Sequence, residues 1–381
     1  MIYLDNNATT RSLPEVADAV VESMTTRYGN PSSPHQLGAG ARDALSEARH
    51  RVADLVGSEP EQILFTSGGT EANNLVLQGV CSHKQGARLV TTAIEHSSVL
   101  KTAQALQDAD VEITVLPVDQ LGRVSPHSLE AALEEPATLV SVQWANSETG
   151  TVQPIKELGE ICRRRRVPFH VDAAQAIGRV PISLPDLPVD FLTFTAHKIH
   201  GPKGIGAICS KEENRLSPLL FGGDQESGMR PGTENLPGII GFGLAADVRS
   251  RQLNEAISHL ETLRGVFEEH LAGAALGLHI NGDRNNRVPN TSNIHFPSVE
   301  GMALMAQLDQ MGIICSQTSA CVSQRPEPSH VLLAMGLTED QAFASVRFSF
   351  SVLNSLEEAE QAAESVCSVY QRLLALERLT G

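Results

Sequence analysis

Three strand ends carry the residues that point to chemistry. Lys198 stands in DFLTFTAHKIHGPKGIG, residues 190–206, where an apolar run (Phe191, Leu192, Phe194) ends in Thr195, Ala196 and His197 and a Gly/Pro-rich turn follows. A lysine at the end of a buried strand is either exposed on a loop or chemically engaged. A desolvated amine is what Schiff-base chemistry with a carbonyl cofactor needs. Asp172 ends a second strand, FHVD, with Gln175 close behind. A helix N-cap is the plain role for such an aspartate. A buried carboxylate beside a pyridine nitrogen instead keeps that ring protonated and makes it an electron sink. At a third strand end, Thr66-Ser67-Gly68-Gly69-Thr70-Glu71 opens an amphipathic helix, and its free N–H groups and hydroxyl suit a phosphate. The turn lacks the lysine of a P-loop, which disfavours a nucleoside triphosphate. Amine, carboxylate and phosphate-suited turn together are the set that pyridoxal phosphate requires.

Other candidates stand around this set. His96, after TTAIE, either stacks on a flat ring and moves protons or is one of the 13 histidines with a structural hydrogen bond. Asn146 falls at another predicted strand end. Arg347, on the apolar strand SVRFSF, wants an anion: a substrate carboxylate fits its fork, and a structural ion pair is the rival. Cys321 lies in residues 315–328, rich in Ser, Gln and Pro, which are expected to form a mobile loop from which a thiol can reach a site. Cys81, Cys162, Cys209 and Cys367 have apolar or helical surroundings that suggest packing.

The elements that must hold these residues follow from periodicity. Helices are expected near 14–27 and 36–56, and a strand at 63–65. Strands and helices then alternate through 88–92, 99–107, 111–116, 128–133, 138–143, 155–164 and 168–172. Such alternation implies an α/β domain around a largely parallel sheet, with ligands at the carboxyl ends of its strands. A helical region near 238–271 leads into a smaller α+β layer with strands at 293–296 and 345–350 and helices at 301–310 and from 356.

Composition bounds the rest. The 381 residues suffice for two domains, and 41% hydrophobic with 19% charged residues is ordinary globular composition. A net charge of −16 disfavours extended nucleic-acid binding, and the basic run Arg163–Arg166 ends a predicted helix, where cations complement the dipole. Six scattered cysteines without metal-ligand spacing suit a reducing compartment. The opening MIYLDNNATT has neither a basic segment nor an apolar core, so a cytoplasmic location is expected.

The motifs YLDNNATT, YGNPSSPH, FTSGGTEANN, EHSSV, ANSETGTVQPI, HVDAAQAIG, TAHKIHGPKGIG, GMRPGTEN, SACVSQRPEPSHVLLAMG and VRFSFS run nearly end to end in one order. In this the sequence resembles the cysteine desulfurases of the NifS/IscS type within the class V aminotransferases. The resemblance implies the pyridoxal-phosphate transferase fold type I. It implies a large domain at 13–250 with a mixed, mostly parallel sheet, and a small α+β domain from 1–12 and 251–381 that carries the cysteine loop.

Carried over by residue, the resemblance makes Lys198 the Schiff-base lysine that later moves the substrate's Cα proton. Asp172 pairs with the ring nitrogen, Gln175 lies by the phenolic oxygen and His96 stacks on the ring. Gly69, Thr70, Thr195 and His197 hold the phosphate, joined by Thr233 of a second subunit in a homodimer. Asn146 and Arg347 hold the carboxylate of L-cysteine, and Cys321 takes the sulfur as a persulfide and passes it to an acceptor protein, leaving alanine. A selenocysteine lyase, another aminotransferase of the same fold, and a sulfur-relay protein without cofactor are the alternatives. Iron-sulfur assembly, tRNA thiolation and DNA phosphorothioation are all open as destinations of the sulfur. The chain departs from the resemblance at Ser147, Asp224, Ser227, Gln317 and Thr318.

Overall fold

The computed structural model describes residues 1–82, 84–211, 216–274, 276–317 and 327–380. After a short strand, β1 (Ile2–Tyr3), come the helices Pro14–Thr25 and Gln36–Val56. Seven strands then form the main sheet: β2 (Ile63–Thr66), β3 (Arg88–Thr92), β4 (Glu112–Leu116), β5 (Leu139–Gln143), β6 (Phe169–Asp172), β7 (Phe191–Thr195) and β8 (Gly206–Ser210). Their order is β2-β8-β7-β6-β5-β3-β4. Parallel pairing joins β4 to β3, β3 to β5, β5 to β6 and β6 to β7, whereas β8 runs antiparallel to both β7 and β2. The sheet is mixed and mostly parallel. The reversal at β8 has a local cause: only ten residues separate Thr195 from Gly206, with a single 3-10 turn at Ala196–Lys198, too few for the helical crossover that a parallel neighbour needs.

Helices cover both faces of this sheet, so its strands are apolar on both sides. Along β7 the faces alternate. Phe191 joins Leu75, Val76 and Ile208 in one cluster, while Leu192 and Phe194 join Val171 and Phe242 in the other. The rings of Phe194 and Phe242 meet edge to face, with centroids 5.8 Å apart.

The expected helical region at 238–271 is two helices, Leu236–Arg251 and Leu253–Gly273, interrupted at Gln252. Beyond them β10 (Thr291–His295) pairs antiparallel with β9 (His279–Asn281) and with β12 (Ser345–Ser349), and β11 (Ile313–Ile314) pairs parallel with β1. Ile2 and Leu4 are buried with Phe267, Phe296, Phe348 and Tyr370, so both ends of the chain enter one apolar cluster. Phe267 and Phe348 lie 4.9 Å apart between centroids, Phe296 and Tyr370 5.3 Å. Burying each such ring stabilises the fold by about 1.5–3 kcal/mol. Among the described residues no helix is long and apolar enough to cross a membrane.

Candidate active site

A cavity of about 330 Å³ opens where β2, β3, β6 and β7 end. Gly69, Thr70, His96, Asp172, Gln175, Thr195, His197, Lys198 and Arg347 all line it, together with Asn7, Asn73, Ser98 and Ser147. Nine residues named from the sequence are therefore brought together, from segments as far apart as 69 and 347.

Lys198 closes the 3-10 turn that follows β7. Its Nζ donates to the backbone carbonyls of Asn7 and, at 2.9 Å, of Ala8. Burial, then the Arg179 and Arg347 charges, bring its pKa down to about 7 against the opposing pull of Asp172 and Asp5. A sizeable neutral fraction of the amine thus exists near pH 7, the form that attacks carbonyls. His197, beside it, is pushed down to about 3 by burial and by the charges of Lys198, Lys203 and Arg179. It is neutral at physiological pH, and its Nδ1 lies 3.2 Å from the Thr9 hydroxyl.

Asp172 is held from two sides. Its Oδ1 accepts from the Ala174 amide at 2.9 Å, and its Oδ2 accepts from the Asn73 side chain at 2.8 Å. The second amide hydrogen of Asn73 goes to Ser98 Oγ at 2.9 Å, and the Asn73 oxygen accepts from Thr193 at 2.6 Å. Ser98 Oγ in turn lies 2.8 Å from His96 Nδ1, which also accepts from the Ser98 amide at 3.1 Å. An Nδ1 that accepts leaves the proton of a neutral ring on Nε2. Burial keeps the His96 ring neutral by lowering its pKa, the Asp172 charge opposing this. One chain of hydrogen bonds therefore fixes the aspartate and the flat ring at once.

The glycine turn is shaped by close approach. Gly68 has φ +154°, and Gly206 lies so near it that a Cβ there would stand 2.8 Å from Gly68 Cα. Gly206 is also the register partner of both Thr66 and Thr195, so its lack of a side chain lets the turn and the Lys198 strand close on one another. The helix Gly69–Cys81 starts at this point and points its N-terminus at the cavity wall. Thr195, opposite, donates its hydroxyl to the Ile205 carbonyl at 3.0 Å.

Arg347 occupies β12 and is 1% exposed. The ion pair that rivalled a substrate carboxylate is present: Nη2 meets Asp5 Oδ1 at 2.6 Å, and Nη1 donates to the Ser147 carbonyl at 2.9 Å. Its Nε is buried and has no partner among the described residues. Asn146 and Thr233 are not brought to the cavity wall. The Asn146 side chain is buried in its own turn, accepting from the Glu148 and Thr149 amides at 2.9 Å each and donating to the Ile94 carbonyl at 3.2 Å. Thr233 is exposed on the turn before the helix Leu236–Arg251. Cys321 and Thr318 lie outside the described residues. At Ser147 it is the backbone carbonyl that serves Arg347 and the Asn7 side chain.

Three residues of the site were missed as individuals: Asn7, Asn73 and Ser98. Each sits inside a quoted motif, and Asn73 falls on the buried side of the helix Gly69–Cys81. Glu95 was missed too. It is fully buried, accepts from Thr92 Oγ1 at 2.6 Å and from the Gln143 amide at 3.0 Å, and is pushed up to about 8 by burial, hence neutral at pH 7.

A mixed sheet with lysine, aspartate and a helix N-terminus gathered at its strand ends is the arrangement of fold type I, a class of α/β enzymes that use pyridoxal phosphate. The chain belongs to the class-V aminotransferase family, whose description matches residues 2–361. It is 41% identical over 377 residues to a cysteine desulfurase of Trichormus azollae, covering 99% of this chain and 94% of that one. A solved NifS-like protein superposes with a TM-score of 0.92 at 36% identity, covering 98% of this chain and all of the other. SspA, solved in complex with cysteine, gives a TM-score of 0.82 at 31% identity over 92% of this chain and 99% of its own.

Proposed function

We propose that this protein is a pyridoxal-phosphate-dependent cysteine desulfurase that moves sulfur from L-cysteine to Cys321 and then to an acceptor protein. The observation that carries the reading is the buried Lys198 amine, with its pKa near 7, in a cavity shared with Asp172 and Arg347. The cysteine desulfurase relative and the cysteine-bound neighbour support the choice of substrate.

The residues present fit the cofactor in kind and in room. A cavity of about 330 Å³ takes a phosphorylated pyridine, and its wall offers an amine, a fixed carboxylate, a flat neutral ring and a helix N-terminus. Lys198 would bind the aldehyde carbon, Asp172 the ring nitrogen and His96 the ring face. Gln175 would donate to the phenolic oxygen, and Gly69, Thr70, Thr195 and His197 would hold the phosphate. When bound, the protonated ring supplies an electron sink for the carbon next to the substrate amine.

The chain's own groups do the rest. Arg347, in the cavity wall, draws in the substrate carboxylate, and its bond to Asp5 holds the guanidinium in place. Lys198 would take the Cα proton and return one later. Cys321, as thiolate, attacks the substrate sulfur. A sulfur–sulfur bond forms, the carbon–sulfur bond breaks with its electron pair left on carbon, and a proton taken up there completes alanine. The reading includes a homodimer in which Thr233 reaches the partner's phosphate site, and Phe221, 89% exposed, offers apolar surface near that segment. It also includes the division into 13–250 and 1–12 with 251–381.

With L-cysteine and a thiol reductant, the purified enzyme is expected to release alanine and sulfide in equal amounts. Formation of a keto acid in place of alanine, with no sulfide, would make it a transaminase. Asp172→Asn is expected to retain the fold and lower kcat by roughly 10²–10⁴-fold, because a neutral amide no longer holds the ring proton. Steady-state kinetics at unchanged secondary structure checks this, and wild-type kcat in that variant would remove Asp172 from the mechanism.

A further inference from the structure

We propose that Arg179 is a positioning residue of this site: it fixes the side-chain amide of Gln175 and sets an uncompensated positive charge behind the Lys198 amine. The proposal rests on Lys198 being the group that captures the aldehyde.

Arg179 is 5% exposed, and one turn before it stands Gln175. Its Nη1 donates to the Gln175 side-chain oxygen and, at 3.3 Å, to the Gln175 carbonyl. A guanidinium only donates, so the amide oxygen must be the end that faces it. The amide nitrogen is thereby turned the other way, where it donates to the Asn7 carbonyl at 3.0 Å. That same carbonyl receives Lys198 Nζ. Arg179, Gln175, Asn7 and Lys198 form one relay, in which one hydrogen of the Gln175 amide is taken by Asn7 and the other is left for a phenolate oxygen in the cavity that Gln175 lines. Without Arg179 the Asn7 carbonyl alone orients the amide.

The charge works alongside the hydrogen bond. Among the described residues no carboxylate pairs with Arg179 or with its buried neighbour Arg249. The charges felt by Arg179 are those of Arg249 and Arg347, all of one sign. Lys198 faces Arg179 and Arg347 on the cationic side, Asp172 and Asp5 on the anionic side, and the neutral rings of His96 and His197. Of these, Arg179 stands first among the charges that favour loss of the lysine proton. Gly178 leaves room for the Arg249 stem, since a Cβ there would stand 2.7 Å from Arg249 Cγ.

The test is a pH titration of the visible absorption of cofactor-loaded protein, with thermal unfolding of each variant measured in parallel. The nitrogen of Lys198 carries the titrating proton. Arg179→Gln and Arg179→Met, which remove the cation, are expected to move the midpoint up by roughly one unit, a tenfold change in proton affinity. Arg179→Lys keeps the charge and is expected to titrate close to the wild type while binding the cofactor more weakly, since its single point of donation no longer grips the Gln175 oxygen. Neutral variants that fold and titrate like the wild type would overturn the proposal, as would an Arg179→Lys midpoint displaced as far as theirs. Lys198→Ala separates the two levels of the argument. If it keeps the same transition, the reading of the site fails; if the transition vanishes there while Arg179→Gln matches the wild type, only the role of Arg179 fails.

Discussion

Cys321→Ala protein, mixed with L-cysteine, is expected to bind the substrate and exchange its Cα proton with solvent but to release no alanine, with turnover reduced by roughly 10³-fold or more. The two halves of the reaction draw on different residues. Proton removal requires Lys198 and a protonated ring, both of which survive the substitution, whereas breaking the carbon–sulfur bond requires a thiolate to accept the sulfur. Exchange of the Cα hydrogen with deuterium, read by mass spectrometry of recovered cysteine, reports the first half alone. Alanine release measures the second. Undiminished alanine formation in the variant would mean that sulfur leaves without Cys321, and its role as acceptor would be lost.

Lys198→Ala is expected to cause the larger defect, about 10⁴-fold or more in kcat, because one group supplies both the covalent hold on the aldehyde and the proton transfer. The substitution also removes a buried cation. Lys198 lies amid Arg179 and Arg347, and burial with these neighbours brings its pKa down to about 7, so taking it away relieves repulsion in the folded state. The sign follows from linkage. A lysine whose folded pKa is lowered opposes folding below its unfolded value, first because it must give up a proton that the unfolded chain retains and, lower still, because it stays charged in an unfavourable setting. The penalty begins as pH falls below the ordinary lysine value of 10.5 and is fully present below about 7. The variant is therefore expected to unfold at a temperature no lower than the wild type at pH 7 while being inactive. Thermal unfolding beside kinetics checks the pair, and a variant that is both unfolded and inactive would say nothing for a chemical role and would contradict this account of the charge.

The sequence and the structure part company in instructive places. Lys198, Asp172 and the Gly68–Gly69 turn were legible because each combines a local strand pattern with a local break, and both signals fall within a few residues. The expected strands at 88–92 and the helix at 301–310 hold to the residue for the same reason. What was hidden depends on contacts between remote segments. Asn73 meets Asp172 across 99 positions, and Arg347 meets Asp5 across 342. No local pattern announces such pairs. Alternation did not reveal a strand at 206–210 or its antiparallel direction, although the resemblance implied the mixed, mostly parallel sheet that is found. The break at Gln252 escaped notice because the apolar spacing continues on either side of it, and only the backbone shows the change.

Asn146 teaches a related lesson. Its place at a strand end suggested a polar group offered to a ligand, yet its oxygen is consumed by the Glu148 and Thr149 amides. A short polar side chain after a strand has backbone donors within reach of its own turn, and that competition is invisible until the turn's geometry is known. Arg347 shows the opposite outcome. The structural ion pair and the ligand-facing role were set against one another in the sequence, and the structure shows both the bond to Asp5 and a place for Arg347 in the cavity wall.

The central claim is that one buried amine, at position 198, carries the vitamin B6 aldehyde. Borohydride reduction of the cofactor-loaded protein followed by peptide mapping tests it most directly. A single pyridoxyl adduct on the peptide that contains Lys198 is the predicted result, and that peptide recovered unmodified, or an adduct confined to another lysine, would contradict the account.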